Sequence, residues 1–271
     1  MSLRLLPVLA LLAGCFHHAG IPDDALRHND QGVRLLREGR LDEAEAHLEL
    51  ALEYRPRFAE ARVNLGVVHL SRGEIDEAEA SFRRAIADDP DLPVARANLG
   101  VVLERRGLFQ DALAAYRAAL AIDPATYQAR FNLARLLVLE GEAHEARREL
   151  LRLHVQHPDD AAILGALAVV EWKLDEVERA RERVEAAGRL EESHPLVHFA
   201  RGLLLAHTGD LDPAIEAFEL ARRDPGLEDA ALARIAALHR LAGRPDAADD
   251  AARALPEGSL VRALSIAPRP F

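Results

Sequence analysis

Large apolar side chains return at one fixed interval: Leu48, Phe82, Tyr116, Leu150, Val184 and Phe218 stand 34 residues apart. A second, small-residue column keeps the same step through Ala44, Ala78, Ala112, Ala146, Ala180 and Ala214. Whole hexads recur too, from Ala61-Arg62-Val63-Asn64-Leu65-Gly66 to Ala95-Arg96-Ala97-Asn98-Leu99-Gly100, then Ala129-Arg130-Phe131-Asn132-Leu133-Ala134. Between these blocks Ala and Leu dominate, and β-branched runs of strand length are absent, which predicts helices throughout. Gly39, Gly73, Gly107 and Gly141 suit the ends of first helices, where a left-handed residue turns the chain. Pro56, Pro90, Pro124 and Pro158 stop second helices before the next unit begins.

Fixed self-similarity of this length belongs to stacked repeats, each a unit that cannot bury its apolar face alone. The pattern resembles the tetratricopeptide repeat, whose 34-residue unit is two antiparallel helices. The resemblance implies an all-α tetratricopeptide-repeat solenoid, a right-handed superhelix of helix-turn-helix units. Seven units are expected, at 25–58, 59–92, 93–126, 127–160, 161–194, 195–228 and a degenerate 229–256, with 257–271 as a C-terminal cap or tail. The fifth departs most, with Asp175 in place of the turn glycine and Glu192 in place of the proline. Asp212-Pro213 reads as an N-cap followed by a first-turn proline.

Composition narrows the function. The formal charge is -11, with 29% charged residues and 49% hydrophobic ones, of which aromatics supply only 4% of the chain. An acidic total argues against nucleic acid, which needs a clustered basic surface. No phosphate loop, nucleophile elbow or zinc-protease motif occurs, so neither an enzyme, a cofactor nor a small-molecule substrate is expected. His154 with His157, and His194 with His198, have helix-face spacing, but no third ligand is placed and no metal is expected. Asp88-Asp89 and Asp159-Asp160 read as caps or solvated pairs, and Trp172 as a packing residue.

The single cysteine, Cys15, excludes an internal disulfide. Arg4 precedes an apolar stretch from Leu5 to Leu12, too short for the about 20 residues of a spanning helix and fitting a signal peptide at 1–14. Leu12-Ala13-Gly14-Cys15 resembles the bacterial lipobox, which implies cleavage before Cys15 and a lipid anchor on it, with 15–24 as a tether carrying His17 and His18. Phe16 after the cysteine implies the outer membrane, facing the periplasm, within the bacterial cell envelope.

The expected function is a non-enzymatic, membrane-anchored scaffold that binds peptides or partner proteins in a concave groove. Asn64, Asn98 and Asn132 sit at the sixth position of their units, where the resemblance places them on that groove. An amide offers donor and acceptor together to a peptide backbone. Val63, Val67, Leu70, Ala97, Val101, Phe131 and Val138 are its expected apolar neighbours, and Arg62, Arg96 and Arg130 its solvated edge. Signal, lipobox and repeat number are also similar to pilotin-like lipoproteins that assemble outer-membrane secretins for type IV pili. An accessory regulator of a cell-envelope enzyme is the other alternative.

Overall fold

The computed structural model describes residues 22–255, in which there are fourteen α-helices and no strand. The signal segment, Cys15, the start of the tether and the 257–271 tail lie outside the described residues. In chain order the helices are α1 Asp23–Arg37, α2 Leu41–Tyr54, α3 Ala59–Arg72, α4 Ile75–Asp88, α5 Pro93–Arg105, α6 Phe109–Ile122 and α7 Tyr127–Leu139. They continue as α8 Ala143–Gln156, α9 Ala161–Lys173, α10 Val177–Leu190, α11 Pro195–Thr208, α12 Leu211–Ala221, α13 Glu228–Leu241 and α14 Pro245–Ala254. Two compact units divide the chain at Leu136 and Leu137.

In the first unit α1 packs on α2, α3 on α4 and α5 on α6. The bulky column fills the space between the two helices of each pair: Leu48, Phe82 and Tyr116 are fully buried, with the small Ala44, Ala78 and Ala112 beside them. The glycines of the opposing helices make this possible. A Cβ on Gly66 would lie 2.6 Å from Phe82 Cε1, and one on Gly100 2.6 Å from Tyr116 Cε1. Helix propensity alone disfavours glycine there, so close approach is what requires it.

In the second unit the pairs are α9 with α10, α11 with α12 and α13 with α14. Here the layer is filled by Val184 against Ala168 in one cluster and by Phe218 in another. The turn after α9 keeps its shape without glycine, because Asp175 itself adopts a φ of 62°. Asp is among the few side chains that tolerate this region. The seventh helix pair, α13 and α14, ends the described chain with Ala248 fully buried.

Two capping assignments differ from expectation. Asp212 lies within the first turn of α12, not at its N-cap, which is Asp210. Its carboxylate still favours a helix N-terminus and accepts from Arg244 of the next pair at 2.6 and 3.0 Å. Asp160 does cap α9, accepting from the Ala162 and Ile163 amides at 2.8 and 3.2 Å. Asp88 is taken by Arg62 at 2.8 Å.

Candidate functional site

The asparagine row lies on the first helices of successive pairs in the first unit, and much of it is enclosed. Asn64 is 1% exposed and Asn98 4%, while Asn132 is only partly buried. Asn64 Nδ2 donates to Asn29 Oδ1 across α3 and α1 at 2.9 Å. Asn29 therefore joins the row, 35 residues upstream and one place off the period. The next rung is open: Asn64 Oδ1 and Asn98 Nδ2, an acceptor and a donor on consecutive first helices, have no partner among the described residues. Buried polar atoms of this kind cost about 1–3 kcal/mol each unless satisfied. At Asn64 the row is thus an inter-helix stitch.

The apolar neighbours divide in the same way. Val63, Val67 and Leu70 are at most 5% exposed and belong to the core cluster around Phe82, and Ala97 is buried beside Ala119 and Ala129. These positions, expected to line the groove, are packed in the core: Val63, Val67 and Leu70 against Phe82 and Ala85 of α4 and Ala95 and Val102 of α5. Val101, Phe131 and Asn132 stay partly open. Phe131 stacks on Tyr127, one turn earlier in α7, with centroids 5.8 Å apart and planes at 6°. Both rings are half-buried, in a chain with few aromatics.

The arginine row is not a solvated edge. Arg62 donates to the Pro56 carbonyl, Arg96 to the Pro90 carbonyl and Arg130 to the Pro124 carbonyl, the last at 2.5 Å. Each arginine reaches back six residues to the loop that precedes its own helix. The physical reason is that these carbonyls lie in the loop between units, outside any helix, and a guanidinium satisfies them.

Further along the first unit, Glu104 gathers two partners. Arg135 Nη2 donates to its carboxylate at 2.5 and 2.6 Å, and the buried Tyr116 hydroxyl donates at 3.2 Å. Burial, then the Glu104 charge, pushes the Tyr116 phenol well above its ordinary range, so it remains a donor. In the second unit Glu171 is 2% exposed, with Arg183 3.4 Å away; burial raises its pKa against the pull of that cation. His194 caps α11, accepting from the Leu196 amide at 3.2 Å. Among the described residues no group of three or more His, Cys, Asp or Glu could hold a metal ion.

Models of the tetratricopeptide repeat match residues 29–93 and 166–228, and a second such model matches 103–168. The chain belongs to the tetratricopeptide-repeat family. No curated protein matches it. Among solved structures, Pseudomonas aeruginosa pilF shares 25% identity, with 76% of this chain and 95% of that one covered at a TM-score of 0.55. A tetratricopeptide-repeat protein from Parabacteroides merdae covers 80% of this chain and 85% of its own, at 17% identity and a TM-score of 0.61. YrrB, described as a TPR protein with an unusual peptide-binding site, is 24% identical over 66% of this chain and 92% of its own, with a TM-score of 0.52. The last two likenesses show the fold alone. As a tetratricopeptide-repeat solenoid, the protein has the architecture of a protein-interaction scaffold.

Proposed function

We propose that the protein is a lipid-anchored interaction platform of the bacterial cell envelope, non-enzymatic, which holds a partner peptide on the part of its first-helix face left open in the first unit. The observation that carries this reading is the contrast within one row: Asn64 and Asn98 are closed, whereas Asn132, Phe131 and Val101 remain accessible beside a stacked Tyr127. Asn132 supplies a backbone grip and Phe131 with Val101 the apolar contact, while Asn64, bonded to Asn29, ties α3 to α1. The lipobox residues Leu12 to Cys15 support the anchor, with Cys15 as the acylated residue of a mature chain in the outer membrane, facing the periplasm.

The test is affinity capture from membranes in mild detergent, comparing wild type with Phe131→Ala/Asn132→Ala and with Cys15→Ser. The proposal expects a set of proteins captured by wild type and lost from the double variant, and a fatty-acid analogue incorporated by wild type and not by Cys15→Ser. Identical capture by the double variant sinks the groove assignment, and equal labelling sinks the anchor. A second reading, a pilotin-like assembly factor for an outer-membrane secretin, rests on the resemblance of residues 1–15 to a signal and lipobox and on the number of repeats. A secretin subunit among the captured proteins decides for it.

A further inference from the structure

His28 of α1 and His47 of α2 meet within the first helix pair, with their Nδ1 atoms 2.9 Å apart. The ring centroids are 5.1 Å apart and the planes inclined at 29°, so the rings meet through these nitrogens and not face on face. Tyr54, the last residue of α2, also lies against His28, with centroids 5.7 Å apart and planes at 10°. Both histidines are half-buried, and among the described residues neither ring has another hydrogen-bond partner. Two facing ring nitrogens hold one hydrogen between them: one donates and the other accepts through its lone pair. The contact therefore stands while both rings are neutral or only one is charged. With both charged, two N–H groups point at each other and two like charges share one place, so the contact breaks.

The surroundings do not offset that second charge. Neither ring is within ion-pair distance of a carboxylate among the described residues. On α1, Asp24 stands one turn before His28 and is taken by Arg27 at 2.5 Å. On α2, Glu43 stands one turn before His47 and accepts from Arg40 at 2.7 and 2.5 Å. The bond from Arg40 first, and then the charges of Arg40 and His47, lower the Glu43 pKa. On α3, Arg62 goes to Asp88, His69 to Glu74 and Arg72 to Glu45 and Asp42, while Glu60 pairs with neither ring. The residue after His28 carries the other tie of α1: Asn29 is 5% exposed and accepts from Asn64 of α3 at 2.9 Å. Adjacent positions thus hold α1 to α2 and to α3.

We propose that His28 and His47 form an acid-sensitive latch on α1: a second proton parts the two rings and loosens α1 from α2 and, through Asn29, from α3. The open state takes that proton freely and the closed state does not, so acid favours opening and the latch holds at neutral pH and above. Histidine is the side chain whose charge changes in this range, between about pH 5 and pH 8. α1 is the first helix among the described residues, and helices at the end of a stacked array open locally at low cost. The latch uses neither Phe131 nor Asn132, so it and the partner-binding reading stand or fall separately.

Hydrogen exchange of the full-length protein, read by mass spectrometry as protection factors at about pH 7.5 and about pH 5, tests the latch. Protection of Asp23–Arg37 should fall about tenfold on acidification. That of Pro93–Arg105 and Phe109–Ile122, which contain no histidine, should change by less than about twofold. His47→Gln leaves His28 a polar partner that cannot take a charge, so the acid loss in α1 should shrink to less than about twofold. His28→Gln makes the same test from the other side, and circular dichroism checks that each variant stays helical. An undiminished acid loss in a folded variant, an equal loss in α5 and α6, or α1 protection that acid leaves unchanged overturns the latch.

Discussion

Gly66 lies so close to Phe82 that a Cβ on it would come within 2.6 Å of the ring edge. The same relation joins Gly100 to Tyr116 and Gly202 to Phe218, where the added atom would sit 2.6 and 2.9 Å from the ring. In the fifth repeat the two positions hold Ala168 and Val184, packed in one cluster. The first helix can carry a methyl group where the second carries a shorter side chain.

Gly66→Ala should therefore destabilise the protein by about 2 kcal/mol, the strain of overpacking less the gain in helix propensity. Phe82→Leu leaves room and should absorb most of that loss in the double variant. Thermal melts of both single variants and the double measure the coupling, and strictly additive losses contradict the account.

The stitches between helices should matter more than their side-chain types suggest. Asn64→Ala removes the bond to Asn29 and leaves the buried Asn29 Oδ1 without its donor, at about 1 kcal/mol after the better propensity of alanine is counted. Arg130→Ala, which frees the Pro124 carbonyl, should cost a similar about 1–2 kcal/mol. Arg84, exposed on α4, serves as the control, and its alanine variant should melt within about 0.5 kcal/mol of wild type.

Acid should weaken the second unit through two histidines. His154 and His198 are partly buried with no partner for Nδ1, and burial first, then Arg183 near His154 and Arg201 near His198, lowers the pKa of each. The unfolded chain binds these protons near pH 6.5. Their contribution is complete above that value and is lost as the pH falls through the lowered folded values. Melting temperature measured from pH 8 to pH 5 should drop, and His154→Gln/His198→Gln should flatten part of the drop. An unchanged slope in the double variant contradicts this assignment.

The repeat was legible because its packing rules are written into single columns: a small residue, a bulky residue, a turn glycine, a proline. What was missed lies off those columns. Asn29 pairs with Asn64 across 35 residues, so a 34-residue ruler passes over it. Arg62, Arg96 and Arg130 form a visible column, yet their acceptors are backbone carbonyls, which have no letter in the sequence. Val63 and Leu70 looked like groove residues because periodicity fixes a helix face, while which neighbours bury that face is decided by the packing of α4 and α5. His28 and His47 meet across 19 positions with no repeat linking them, so only the fold brings them together.

The central claim is that a partner is held on the open part of the first-helix face, and site-specific photo-crosslinking tests it most directly. A crosslinking amino acid is placed at Phe131 in one version of the protein and at Arg84, exposed on the second helix α4, in another. The account predicts that irradiation of membranes joins a partner protein to position 131 and not to position 84. A partner joined at position 84 and absent at position 131 would contradict it.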